Sequence, residues 1–304
     1  MRTTGLTGQS PPPAGPRQRR WRANGLNRFR TYAGFVKLEH TVFSLPLIFA
    51  GTLLHTRGAW PGWRLVLLLV AAAAGARTVA MGLNRLIDDK IDARNPRTRG
   101  RELPRGAMRR REAWAIVLIA GVAYGASAWA IDPFCFKLAP VPVALFVAYP
   151  YLKRVTSLSH LGLGLAWSMG PLAGWLAAAR SLARFDEVFW LWLFSWLWVA
   201  GFDIIYATMD EAFDREAGLH SVPVELGKRT SLQVAANVHA MAFLCLHMLW
   251  LIYLNTPAAF AWLAAIGVLL VWQHAVAERR PEFAFFQLNG VLGFLVLGMV
   301  LAGI

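Results

Sequence analysis

Two short stretches place carboxylates, in one case with an asparagine amide, at regular helical spacing at the ends of long apolar runs. In "MGLNRLIDDKID" these are Asn84, Asp88 and Asp92, four residues apart. In "DIIYATMDEAFD" they are Asp203, Asp210 and Asp214. Residues four apart share a helix face, and a spacing of seven is about two turns. Each set therefore reads as a stripe on one helix. Like charges at this spacing destabilise a helix by a few tenths of a kcal/mol in water. Within a bilayer a central Asp costs about 2.5–3.5 kcal/mol on insertion scales. A divalent cation would offset that cost. Magnesium takes hard oxygen ligands, one or two carboxylates at a time, and fills its shell with water and phosphate oxygens. Two facing acid stripes have the chemistry to hold magnesium ions around a diphosphate.

Basic residues lie where such an anion would need them. Arg94, Arg97, Arg99, Arg101 and Arg105 occupy the loop after Asp92, which closes in a Leu-Pro-Arg-Gly turn. Arginine grips phosphate oxygens with a two-pronged fork. "AYPYLKRVTS" adds Tyr149 and Lys153, four apart, with Arg154 beside them. As ligands, the phenol and ammonium would lie over the diphosphate, with Arg154 free for an acidic group of a second substrate. As anchors, the same residues would mark a membrane interface.

The elements that carry these residues are membrane spans. The chain has 304 residues, of which 57% are hydrophobic and 16% charged. A soluble protein carries about 25% charged residues. Apolar runs recur near 32–55, 63–88, 113–131, 136–152, 157–179, 187–209, 231–253, 257–277 and 284–303. They predict an all-α, polytopic bundle of about nine transmembrane helices in one domain, 31–304. Residues 1–30, rich in Pro, Gly and Arg, read as a disordered basic tail, and Arg17, Arg19, Arg20 and Arg22 offer charge to anionic lipid. Nothing there resembles a cleavable signal, because the first apolar run is long enough to span.

The formal charge of +14 sits mainly between spans and sets orientation, so nucleic acid is not an expected partner. Lys90 to Arg111, Lys153-Arg154, Lys228-Arg229 and Arg279-Arg280 share one side with the tail. That side is expected to be cytoplasmic, with the C-terminus outside. The two acid stripes end spans four apart, so both meet the same face. They read as a faint parallel repeat across a shared cavity. Cys135 and Cys245 suggest no disulfide framework. The seven histidines form no HxxxH or HExxH pair.

Together these segments resemble the UbiA-type intramembrane prenyltransferases. "NRLIDDKID" resembles that family's NxxxDxxxD motif, "DEAFD" its second DxxxD motif, and Tyr149 to Lys153 its YxxxK motif. "RTRGRELPRG" is similar to its Arg-Thr…Arg-x-Leu-Pro-x-Gly segment, with Arg97 and Arg101 at the two arginines. The likeness runs from about Lys37 to the C-terminus and includes "FFQLNG". It implies a nine-helix bundle around a central cavity open to lipid. It implies Mg²⁺-dependent transfer of a polyprenyl group from polyprenyl diphosphate to an aromatic acceptor. Asp88, Asp92, Asp210 and Asp214 would hold the metal. Asn84, Arg97, Arg101, Lys153 and Arg154 would bind substrate. Lys153, Tyr149 and Asp203 would take part in the chemistry, Asp203 by orienting or deprotonating the acceptor.

The acceptor is left between two hydroxylated aromatic acids. "YPYLKRVT" resembles enzymes acting on 4-hydroxybenzoate in ubiquinone synthesis, while "KLEHTVFSLP" looks more like a subgroup associated with 1,4-dihydroxy-6-naphthoate and futalosine-route menaquinone. The rival class is a cation- or proton-coupled transporter. It predicts acids near the midplane on broken helices, whereas here they gather at one face beside arginines.

Overall fold

The computed structural model describes residues 25–36 and 39–304. Most of the expected tail, including Arg17, Arg19, Arg20 and Arg22, lies outside them, as do Lys37 and Leu38 of "KLEHTVFSLP". Among the described residues every element is helical. α1 (Gly25–Val36) takes in the last six residues read as tail. It is followed by α2 (Glu39–Thr56), α3 (Trp63–Arg94), α4 (Arg110–Ile131), α5 (Pro133–Leu138), α6 (Pro140–Leu152) and α7 (Ser159–Ala179). Then come α8 (Asp186–Ala207), α9 (Glu211–Glu216), α10 (Val222–Tyr253), α11 (Pro257–Ala277) and α12 (Pro281–Phe283). A π-helical turn (Ala284–Leu288) leads into α13 (Asn289–Gly303).

Seven of these segments are long and apolar enough to cross a membrane, and Ser44–Thr56 and Asn289–Gly303 are shorter apolar helices. The polytopic bundle expected from the apolar runs is thus present. Its boundaries differ where local chemistry intervenes. The first expected run is divided between α1 and α2. The fourth is divided at Pro140, whose ring and missing N–H end the preceding turn. α10 starts at Val222, nine residues early, and breaks at Gly227, whose φ of 73° suits glycine.

α8 is the axis of the larger half. It packs on α7 and α10, while α2 packs on α7 and α13, and α13 on α11. Trp175, Leu191, Phe194 and Trp198 are fully buried there. A smaller half gathers α1, α3, α4 and α6 around Phe35, Val79, Leu86, Val117 and Phe146. α7 contacts α3 and α6 on one side and α8 on the other. Where α2 crosses α7 the backbones nearly touch. A Cβ on Gly174 would lie 1.9 Å from the Ile48 carbonyl oxygen, and one on Gly51 2.0 Å from that of Pro171. Thr52 donates to the Gly174 carbonyl at 2.9 Å across the same crossing. Small residues that let backbones approach are the usual contact between membrane helices.

Candidate active site

The first acid stripe forms as expected, on one uninterrupted helix. α3 carries Asn84, Asp88 and Asp92 through to Arg94. Asn84 Nδ2 donates to Asp88 Oδ2 at 3.4 Å. The helix stops at Asn95 because Pro96 follows, and a residue before proline is pushed to the extended region. Asn95 then organises the turn. Its Oδ1 accepts the Arg97 backbone N–H at 2.9 Å, and its Nδ2 donates to Asp210 Oδ1 at 3.0 Å.

The second set is not one stripe. α8 ends at Ala207, and Asp210 caps the separate short helix α9, which carries Asp214. Only Asp203 remains on α8. The turn bends because Thr208 Oγ1 donates back to the Ile205 carbonyl at 2.7 Å, and the Asp210 N–H bonds to Ala207 rather than continuing the ladder. The following segment is tied down by the His220 N–H, which donates to the Lys153 carbonyl at 2.7 Å. Folding, not helical periodicity, therefore brings Asp210 and Asp214 beside Asp203.

One cavity of about 750 Å³ joins the two sets. Asn84, Asp88, Asp92, Arg97, Arg101, Tyr149, Lys153, Asp203, Asp210 and Asp214 all line it. Arg154 does not. It donates to the Ile87 carbonyl at 3.0 Å and to Asp88 Oδ1 at 3.2 Å, and its guanidinium lies 4.8 Å from the Tyr151 ring centroid. The expectation that Arg154 stands free for a second substrate is therefore not met.

Acids and bases are closely interleaved. Asp88 is 2% exposed and receives Lys153 Nζ at 2.5 Å. Asp92 receives Arg101 Nη1 at 2.7 Å. Asp210 receives Arg97 through Nε at 2.9 Å and through Nη2, while Arg97 Nη1 donates to the Tyr206 hydroxyl. Asp214 makes no ion pair among the described residues. Burial opposes the charge on Asp210, but hydrogen bonds from Arg97 and Asn95 outweigh it and hold the carboxyl below its ordinary range. Burial and the Asp210 charge push Asp214 up to about 6. Arg97 is held protonated above its ordinary value, because Asp210 and Tyr206 outweigh its burial.

Among the described residues no three Asp, Glu, His or Cys side chains form a cluster able to hold a metal by themselves. The donors still suit magnesium. All are hard oxygens, they lie on both sides of one cavity, and magnesium needs only one or two of them with phosphate completing the shell. In the lining, Asp88, Asp92, Glu102, Asp203, Asp210 and Asp214 face Arg77, Arg85, Arg97, Arg101 and Lys153. A near balance of six acids and five bases fits a site that takes cations and an anion together.

Sequence reasoning missed several lining groups. Arg77, two turns above Asn84 on α3, lies 5.5 Å from the Trp167 ring centroid. It also lines a second, apolar cavity of about 170 Å³, under a quarter of the first, along with Leu69, Pro142 and Phe146. Arg77, Met81, Tyr149, Leu163 and Trp167 border both cavities. A charged residue inside an apolar run was the available signal. Asn289 and Phe285 of "FFQLNG" also line the polar cavity. Asn289 Oδ1 accepts from Trp198 Nε1 and Gln273 Nε2, each at 3.0 Å, and its Nδ2 donates to the Phe285 carbonyl at 2.8 Å. This network holds the π-helical turn, a distortion often found at functional sites, against α8.

Residues 44–300 match the model of the UbiA prenyltransferase family. The chain belongs to the UbiA prenyltransferase family. It is a multi-pass membrane enzyme, a prenyltransferase. The chain is 27% identical over 286 residues to a 4-hydroxybenzoate octaprenyltransferase of Vibrio vulnificus (strain CMCP6), covering 91% of this chain and 99% of that protein. The apo structure of a UbiA homolog from Aeropyrum pernix K1 superposes with a TM-score of 0.79 at 32% identity, over 85% of this chain and 96% of that one. A UbiA homolog from Archaeoglobus fulgidus bound to GPP and Mg²⁺ shares the UbiA fold, with a TM-score of 0.66 at 18% identity, over 90% of this chain and all of that one.

Proposed function

We propose that this enzyme transfers a polyprenyl group from polyprenyl diphosphate to a hydroxylated aromatic acid, 4-hydroxybenzoate or a similar quinone precursor, with Mg²⁺. One observation carries the reading. A polar cavity rich in acids and bases borders an apolar cavity between α2, α3, α6 and α7. That pairing suits a substrate with a diphosphate head and a hydrocarbon tail. The Vibrio relative's name supports 4-hydroxybenzoate as acceptor, and the GPP and Mg²⁺ bound by the Archaeoglobus homolog support the donor class and the metal.

Asp88, Asp92, Asp210 and Asp214 would hold magnesium, with Asn84 beside them. Bound there, magnesium would supply Lewis-acid charge to the diphosphate. Lys153, Arg97 and Arg101 stabilise the charge that grows on the leaving group. The C–O bond to the diphosphate breaks, and its electron pair leaves with the diphosphate. The aromatic ring supplies the pair for the new C–C bond. The proton on the attacked ring carbon passes to the released diphosphate, which restores aromaticity. Asp203 takes the acceptor's hydroxyl proton as the ring attacks and returns it afterwards. Tyr149, on the border of the two cavities, packs beside the reacting end of the prenyl chain. Trp167, Trp198, Phe202 and Phe285 help exclude water, which would otherwise trap the allylic cation. Arg77, rather than Arg154, pairs with the acceptor's carboxylate. The site opens on the cytoplasmic side of a bacterial-type inner membrane.

Purified protein in lipid tests this directly. It is given polyprenyl diphosphate with 4-hydroxybenzoate or with 1,4-dihydroxy-6-naphthoate, in magnesium or in chelator, and product is read by mass spectrometry. Magnesium-dependent prenyl-4-hydroxybenzoate is expected. Preference for the naphthoate would reassign the acceptor. No product from either, with folded protein, would overturn the aromatic-acid reading.

A further inference from the structure

We propose that His160 is a positioning residue for prenyl transfer, locking the Asp203 carboxylate in one orientation against the acceptor's hydroxyl. The inference rests on the reading of Asp203 given above and deepens it.

His160 stands in the first turn of α7, and its side chain is 5% exposed. Its Nδ1 lies 2.6 Å from Asp203 Oδ2. Its Nε2 lies 3.3 Å from the Val222 backbone nitrogen, the first residue of α10. A backbone N–H only donates, so Nε2 is the acceptor there. The neutral ring then carries its proton on Nδ1 and donates it to Asp203. Geometry thus fixes the tautomer. The contact also joins α7, α8 and the start of α10, whose capping residue Ser221 lines the same cavity.

An unrestrained Asp carboxylate turns freely, because its terminal torsion is broad and two-fold. At Asp203 one oxygen is held by His160. Among the described residues Oδ1 has no hydrogen-bond partner. Asp203 lines the polar cavity with Tyr149, Lys153 and Arg77 and keeps 21% of its side chain exposed. One oxygen anchored in protein and one left to the cavity is the arrangement that aims a carboxylate at a substrate hydroxyl. Sequence alone gave no sign of it. His160 belongs to no motif, and 43 residues separate it from Asp203.

Three variants separate aiming from scaffolding. His160→Asn keeps an N–H near the place of Nδ1. His160→Gln keeps a polar group near the place of Nε2. His160→Ala keeps neither. Turnover, KM for each substrate and thermal midpoint are measured, and ¹⁵N-histidine NMR reports the ring tautomer in the wild type and in Asp203→Ala. His160→Ala is expected to lower kcat about 10–100-fold, the usual range for a residue supporting a reacting group. KM for the prenyl diphosphate should stay within a few-fold. His160→Asn should recover most of kcat, and His160→Gln should not. Recovery by Gln and not by Asn, or unchanged kcat in all three, would reduce His160 to a helix cap and overturn the proposal. If the wild type prenylates neither aromatic acid, the parent reading fails and the positioning role falls with it, while the NMR still decides the His160–Asp203 contact. An Nδ1–H tautomer perturbed by Asp203→Ala supports it, and an Nε2–H ring overturns it.

Discussion

The two ends of α8 each carry carboxylate chemistry, and they use it differently. At one end Glu187, 2% exposed, accepts Trp175 Nε1 at 3.2 Å, pairs with His55 Nδ1 at 3.1 Å and Arg57 at 3.5 Å, and is bridged by Arg184. At the other, Asp203 meets a cavity whose acids are held by Lys153, Arg97 and Arg101. The separation along the helix is about 24 Å, from sixteen residues at 1.5 Å each. Glu187 lines neither of the two cavities described. Its partners come from the ends of α2 and α7 and from the loop before α8, so the cluster staples three segments. The cavity's ion pairs border open volume. A buried carboxylate with basic partners is therefore no sign of a catalytic site in itself. Adjoining space that a substrate can fill makes the difference.

Substitutions at both ends test that contrast. Asp88→Asn and Asp210→Asn should each cut prenyl transfer by roughly 100-fold or more, with the fold and membrane insertion intact. A near-normal rate for either at saturating magnesium would remove it from the metal site. Glu187→Gln should do the reverse. It should cost about 2 kcal/mol of stability through lost charged hydrogen bonds and leave kcat within twofold. If it slowed turnover as much as Asp88→Asn, the two ends would not be functionally separate. Arg77→Met should raise KM for a carboxylated acceptor roughly tenfold, about 1.4 kcal/mol, and spare KM for the diphosphate. Arg154→Met, measured beside it, should change acceptor KM less, and the opposite ranking would restore Arg154 as the carboxylate partner. The smallest effect is expected at the Arg110–Asp89 pair, 2.6 Å apart with the arginine half exposed. Arg110→Ala should shift stability by no more than about 1 kcal/mol, read from the thermal midpoint.

Much of the fold was legible because membrane spans announce themselves. Bilayer thickness fixes their length, and unpaired backbone groups forbid other structures there. The first acid stripe was legible for a similar reason. Asn84, Asp88 and Asp92 lie on one helix, where spacing alone decides the face. The second set was legible as a motif but not as a shape, because the break after Ala207 depends on local hydrogen bonds. Arg154 lies off the cavity, since adjacency to Lys153 says nothing about which side chain reaches it.

The sequence by itself determined the helical bundle, the family and the acidic and basic residue types gathered in its motifs. The bundle and the residue types follow from hydropathy, periodicity and short-range spacing, which are properties of neighbouring residues, and the family follows from the resemblance of its motifs to known ones. Only the tertiary structure decided that Arg97 reaches Asp210 across 113 residues, that His160 holds Asp203 across 43, and that Arg77 borders both cavities. Such pairings are set by how α3, α6, α7 and α8 pack, and packing brings together side chains whose separation along the chain carries no signal of contact.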